Sequence, residues 1–134
     1  KMTSDIDAPV YYGGPVLTNV VGVLHSKDKL LASSNHVQQQ DIAFTLDRQM
    51  LLDIAAGHGP QQRMITLGMA TWGGGQLEAE FEAVPPRPKS MSWLVLDYDP
   101  SIVFGPQPKD LWEMCVSKAI SNKTKEITGK IFKD

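Results

Sequence analysis

Cysteine is all but missing from this chain: Cys115 is the only one in 134 residues. A single thiol can neither close an intrachain disulfide nor supply a thiolate zinc cluster, and it fits a reducing compartment best. Long apolar runs are missing too. None approaches the ~20 residues of a membrane span, and the opening "KMTSDIDAPV" has no apolar signal region. A cytoplasmic location with no membrane partner is expected. There is no excess of positive charge either. Thirteen Lys and Arg stand against fifteen Asp and Glu, for a formal net charge of −2, so the body of the chain has no general attraction for nucleic acid. Histidine is limited to His25, His36 and His58, whose spacing matches no common metal motif. Neither a metal nor a cofactor is expected. The remaining composition, 42% hydrophobic and 21% charged, is that of a globular domain long enough to bury a core.

Local patterning predicts the elements. "PVYY" and "NVVGVLHS" read as strands split by Gly13-Gly14-Pro15. "KDKLLASSN" reads as an irregular connection in which Leu30 and Leu31 seek burial, and "HVQQQDIAFT" holds one or two short strands. Asp47 is placed to cap a helix whose apolar positions are Met50, Leu51, Ile54 and Ala55, with Gly57 closing it in a left-handed conformation. "RMITLGMATW" has the length and apolar content of a strand covered on both faces. Leu77, Phe81 and Val84 then fall at helical spacing, with Glu78, Glu80 and Glu82 turned outward as a solvated face.

"PPRPK" (85–89) breaks that helix, and "SWLVLDYD" reads as another strand. Pro108 opens a final helix with the stripe Leu111, Trp112, Cys115, Val116, Ala119 and Ile120. Residues 1–120 are expected to form one domain. Residues 121–134, rich in lysine, read as a basic, mobile tail with room for a short helical turn. Strands interspersed with about three helices, some of the connections too short for crossovers, predict an α+β or mixed α/β fold.

The densest motif is "LGMATWGGGQLEAEF" (67–81). A Walker-type phosphate loop needs a lysine after its glycines, whereas these lead into Gln76-Leu77-Glu78. The dinucleotide fingerprint fails as well, because Glu78 stands where its third glycine belongs. The segment reads as a strand end, a turn and a helix entry.

Several separated motifs nevertheless occur in a recognisable order: "YYGGPV", "GVLHS", "DIAFTLDRQMLLDIAAGHGPQQRMITLGMATWGGGQLEAEF" and "PSIVF…LWEM". Together they resemble the YqgE/AlgH family of bacterial proteins, from about Val10 to Ile120. Gly68, Ala70, Trp72, Gly75, Gln76, Leu77 and Glu78 match that family's G-Y-A-G-W-x-P-G-Q-L-E segment, while Met69, Thr71 and Gly74 depart from it. Family members begin several dozen residues before the position of Lys1. The resemblance implies an α+β fold with a mixed, bifurcated sheet and a small barrel-like core flanked by about three helices. It also implies a bacterial protein of uncharacterised function, with alginate-linked members described as transcriptional regulators. No catalytic residues are established for the family, so none carry over.

Read from the residues, no catalytic constellation is complete. His25 and Ser26 end a strand, and neighbours on a strand point to opposite faces, so they cannot pair as base and nucleophile. A second group such as His58 or Asp41 would have to come from elsewhere, and no G-x-S-x-G elbow supports it. A hydrogen-bonded strand end is the plainer reading. Asp97 and Asp99 are a possible acid pair, with turn and cap roles preferred because Asp99 precedes Pro100. Cys115 reads as a buried thiol, Trp72 and Trp112 as core, and Trp93 as the exposed aromatic.

A non-enzymatic binding or regulatory module is therefore expected, acting on an unidentified protein or small ligand without touching nucleic acid directly. Its candidate surface is Gly13, Gly14, Pro15, His25, Ser26, His58, Trp72, Gly75, Gln76, Glu78 and Trp93. The competing expectation is an unrecognised hydrolase or transferase using His25, Ser26, His58 or the acid pair.

Overall fold

The computed structural model describes residues 8–82, 93–106 and 108–131, with side chains placed as far as 123. Val84 and the proline-rich link 85–89 lie outside the described residues, as do the tail side chains beyond 123. The elements run β1 (Val10–Tyr12), β2 (Val16–His25), β3 (Asn35–His36), β4 (Ala43–Thr45), α1 (Arg48–Ala55), β5 (Arg63–Met69), α2 (Gln76–Glu82), α3 (Pro100–Val103) and α4 (Leu111–Ile131). They fall into two compact units, Lys1–Thr71 and Trp72–Asp134.

The first unit holds a five-stranded sheet in the order β1-β5-β2-β4-β3. β1 lies parallel to β5 and the other pairs are antiparallel, so the sheet is mixed and the class is α+β. Register explains the core. Val23 pairs with both Thr45 and Ile65, which puts all three on one face. α1 packs there through Met50 and Ile54, and Leu31 and Leu51 close the margin. Leu30, by contrast, stays 42% exposed.

The caps of α1 follow the sequence closely. Asp47 accepts the Gln49 N–H at 2.9 Å. At the other end Gly57 (φ +82°) donates to the Ile54 carbonyl at 3.1 Å and His58 to the Asp53 carbonyl at 2.8 Å. These two bonds form a Schellman motif, which an αL glycine permits. Ala55 faces solvent. Met50 is wholly buried, so Met50→Ala is expected to cost about 2–5 kcal/mol. Urea denaturation checks this, and a loss below about 1 kcal/mol would contradict the packing described.

β5 departs from expectation in one respect. It is paired along both edges, yet Leu67 is 37% exposed while Ile65, two residues earlier on the same face, is buried. α1 is short and its cluster covers only the Val23 end of that face. β2 is irregular between Val16 and Val21, where its register on β5 shifts and Leu17 adopts φ +50°.

The second unit corrects four expectations. Residues 93–99 form no strand; Trp93, Leu94 and Val95 are 43%, 48% and 69% exposed, with no described strand beside them to pair with. Asp99 instead caps the single-turn α3, which the sequence reading did not separate from its surroundings. α4 continues to Ile131, past Ile120 where its apolar stripe ends. That stripe is also too wide to be covered. Adjacent helix residues lie 100° apart, so while Ala119 is buried, Trp112 and Ile120 are 74% and 55% exposed and Cys115 is only half-buried. Finally, Glu80 is buried rather than solvated. No helix among the described residues is long and apolar enough to cross a membrane.

Candidate functional site

Two polar constellations stand out, one in each unit. In the first, β2 ends at His25, which is fully buried. Its Nδ1 lies 2.8 Å from the Ser26 carbonyl oxygen, and its Nε2 lies 2.8 Å from the Thr45 hydroxyl. A carbonyl only accepts, so Nδ1 carries the proton. In the neutral ring Nε2 then accepts from Thr45, whose oxygen is 2.6 Å from the Ser34 hydroxyl. The Ser34 oxygen in turn accepts the Leu31 N–H at 2.9 Å. Four hydrogen bonds thus link five groups in one directional chain from Leu31 to Ser26, with both imidazole nitrogens engaged.

Ser26 belongs to a separate set. Its hydroxyl donates to Asp28 at 2.5 Å and accepts the Gln62 N–H at 3.0 Å. The Ser26 hydroxyl and then the Gln61 N–H hold the Asp28 carboxyl below the ordinary carboxylate range, against the opposing effect of its partial burial. These bonds tie the loop after β2 to the loop before β5. The arrangement fastens two loops, and among the described residues no imidazole is hydrogen-bonded to the Ser26 hydroxyl.

The second unit carries an aromatic cluster. Trp72 and Trp93 both donate their indole N–H to one oxygen of Glu80, at 3.3 and 3.1 Å. Their ring centroids lie 5.8 Å apart with the planes tilted by 59°, and Phe81 stacks on Trp93 at 5.6 Å. The preceding turn is closed by Gln76, whose side-chain oxygen accepts the Gly73 N–H at 2.9 Å. Gly75 at φ +77° and exposed Gln76 and Glu78 complete it.

A cavity of about 300 Å³ lies between the 96–100 segment and α4, lined by Asp97, Tyr98, Asp99, Lys118 and Asn122. Asp99 accepts from the Ser101 hydroxyl and N–H and pairs with Lys118 at 3.0 Å. These partners, the Ser101 hydroxyl foremost, hold its carboxyl at about 2, below the ordinary 3.8. Because the folded value is depressed, this group stabilises the fold fully above 3.8 and the contribution fades as pH falls through about 2. A carboxyl ¹³C titration is expected to show that low midpoint, and Lys118→Met is expected to raise it.

The structure separates most of the residues that the sequence singled out. Gly13, Gly14 and Pro15 lie at the Met69 end of β5, where the Gly13 N–H donates to the Leu67 carbonyl at 2.7 Å. Gly57 to Pro60 leads into the opposite, Arg63 end, about 20 Å away along a seven-residue strand. His25, Ser26 and exposed His58 belong with that Arg63 end. Gly73 to Gly75 belongs to the other unit. Asp41 accepts the Lys27 N–H at 2.8 Å. His36 is exposed on β3, and among the described residues no three His, Cys, Asp or Glu side chains are grouped so that they could hold a metal ion. Trp72, at 40% exposure, is not core.

A family model described as DUF179, AlgH-like, matches residues 1–123. The chain belongs to the AlgH-like family. Among relatives, it is 43% identical to a UPF0301 protein of Pseudomonas putida F1 over 102 residues, which is 76% of this chain and 49% of the relative. A UPF0301 protein of Bordetella petrii is 38% identical over 78% of this chain and 47% of its own length. Among solved structures, the solution structure of the AlgH protein from Pseudomonas aeruginosa superimposes with a TM-score of 0.65 at 32% identity, covering 83% of this chain and 54% of that one. The chain spans about half the length of the curated relatives it matches.

Within this AlgH-like chain, sequence reasoning missed Thr45, Ser34, Asp28, Glu80 and Phe81. One signal was available. Leu77, Glu80 and Phe81 stand at i, i+3 and i+4, so Glu80 shares the face of the helix's apolar residues while Glu78 and Glu82 stand outside it. The partners of His25 had no such signal, because Thr45 is twenty residues away and meets it only through strand register.

Proposed function

We propose that this AlgH-like chain is a non-enzymatic, cytosolic binding module with a regulatory role, acting through a protein partner. The observation that carries this reading is the closed hydrogen-bond chain around His25. Both ring nitrogens are engaged inside the fold, and the Ser26 hydroxyl is held by Asp28 and Gln62, so the best base and nucleophile in the sequence are used to build structure. The exposed rings of Trp72, Phe81 and Trp93 lie against one another, which supports binding, since contiguous apolar surface marks interaction sites. Any link to transcription, which the family resemblance implies, runs through that partner, because a net charge of −2 provides no footprint for DNA.

Turnover assays test the reading. The chain and its Ser26→Ala variant are assayed against panels of chromogenic esters, amides and phosphoesters. The expected result is no turnover by either. Turnover by the parent that vanishes in a folded Ser26→Ala variant would overturn the proposal.

A further inference from the structure

We infer that the aromatic face of Trp72, Phe81 and Trp93 receives arginine side chains of a partner polypeptide; this rests on the binding-module reading and names the partner's chemistry. Two indoles donating to the same Glu80 oxygen cannot turn independently. Their N–H edges face inward, and the rings remain 40% and 43% exposed, with Phe81 at 51%. An indole whose N–H is drawn to a carboxylate has a more electron-rich π face, which attracts cations more strongly.

The stretch that carries Trp72 and Phe81 is acidic. Residues 72–82 contain three glutamates and no basic side chain, with Glu78 and Glu82 exposed on the helix that carries Phe81. A negative field at an aromatic surface disfavours phosphate-bearing partners and complements a cation. Among cations, guanidinium fits best, because it is planar, weakly hydrated and stacks on rings. Lysine would contribute a point charge without that stacking. Ring exposure, fixed orientation and charge together select arginine.

The test uses the chain labelled with ¹⁵N and two blocked pentapeptides, one carrying two arginines and the other two citrullines, which keep the shape without the charge. Indole N–H resonances are the readout, with Trp112, outside the three-ring cluster, as internal reference. The arginine peptide is expected to shift the Trp72 and Trp93 signals saturably and leave Trp112 in place, and the citrulline peptide is expected to do neither. Phe81→Ala is expected to weaken binding about three- to tenfold, and Trp93→Ala to abolish it. Equal shifts with both peptides, or no shift at Trp72 and Trp93, would overturn the inference. Because those arms use the parent chain, a variant that fails to fold leaves the test intact. Failure here combined with an absence of turnover removes only the arginine assignment, whereas turnover dependent on Ser26 removes the underlying reading.

Discussion

Gly68→Ala is expected to lower stability by about 3 kcal/mol or more, in the range where single substitutions threaten the fold. Gly68 sits in β5 at φ +75°. A β-carbon there would stand 2.3 Å from the Gly14 carbonyl oxygen and 3.3 Å from that of Val16. The approach is reciprocal, since a β-carbon on Gly14 would meet the Met69 carbonyl carbon at 2.2 Å and one on Gly13 the Gly68 oxygen at 2.2 Å. Backbone is packed on backbone, and no rotamer change can relieve the clash. Left-handed strain contributes about 1–2 kcal/mol, and overpacking a further 1–3. Gly57→Ala is the control. Gly57 has φ +82° and nothing within 4 Å of an added β-carbon, so only the strain of about 1–2 kcal/mol remains. Equal urea midpoint shifts for the two variants would contradict the claim that close approach of β5 to the β1–β2 connection dominates.

His25→Ala is expected to cost about 3–5 kcal/mol, from the cavity left by a wholly buried ring and from hydroxyl and carbonyl groups left without a partner. Thr45→Val keeps the shape and removes only the hydroxyl that bridges His25 and Ser34, so its expected cost is about 1–3 kcal/mol. The double variant is expected to fall short of the sum, because both changes break one chain. Additive losses would show that the two side chains act separately. The same chain predicts a ring tautomer with the proton on Nδ1, which ¹⁵N shifts of the imidazole report directly.

Much of the first unit was legible in the sequence, because its determinants are local. Asp47 announces a helix start and Gly57 its end, through side-chain and φ requirements that act within a few residues. The strands were visible as β-branched and apolar runs between turn residues. Sheet order was not, since it depends on pairings such as Val10 with Ile65 across more than fifty residues. The second unit was harder. "SWLVLDYD" has strand composition, yet composition cannot supply a neighbouring strand, and Trp93 to Asp99 has none among the described residues. Glu80 was misread because alternation along the sequence looks outward-facing, while a period of 3.6 turns that one glutamate toward Leu77 and Phe81. The candidate site suffered most. The sequence pointed to single residues, and function there depends on which of them the fold brings together.

The most direct test of the account is affinity capture from bacterial lysate by the chain, with Trp93→Ala and Ser26→Ala, each shown to be folded, run beside it. The account predicts one protein retained in stoichiometric amount by the parent and by Ser26→Ala, released at high salt, and lost with Trp93→Ala. Retention of the same protein by Trp93→Ala, or loss of it with Ser26→Ala alone, would contradict the claim that the aromatic face binds while the His25 and Ser26 clusters only hold the fold.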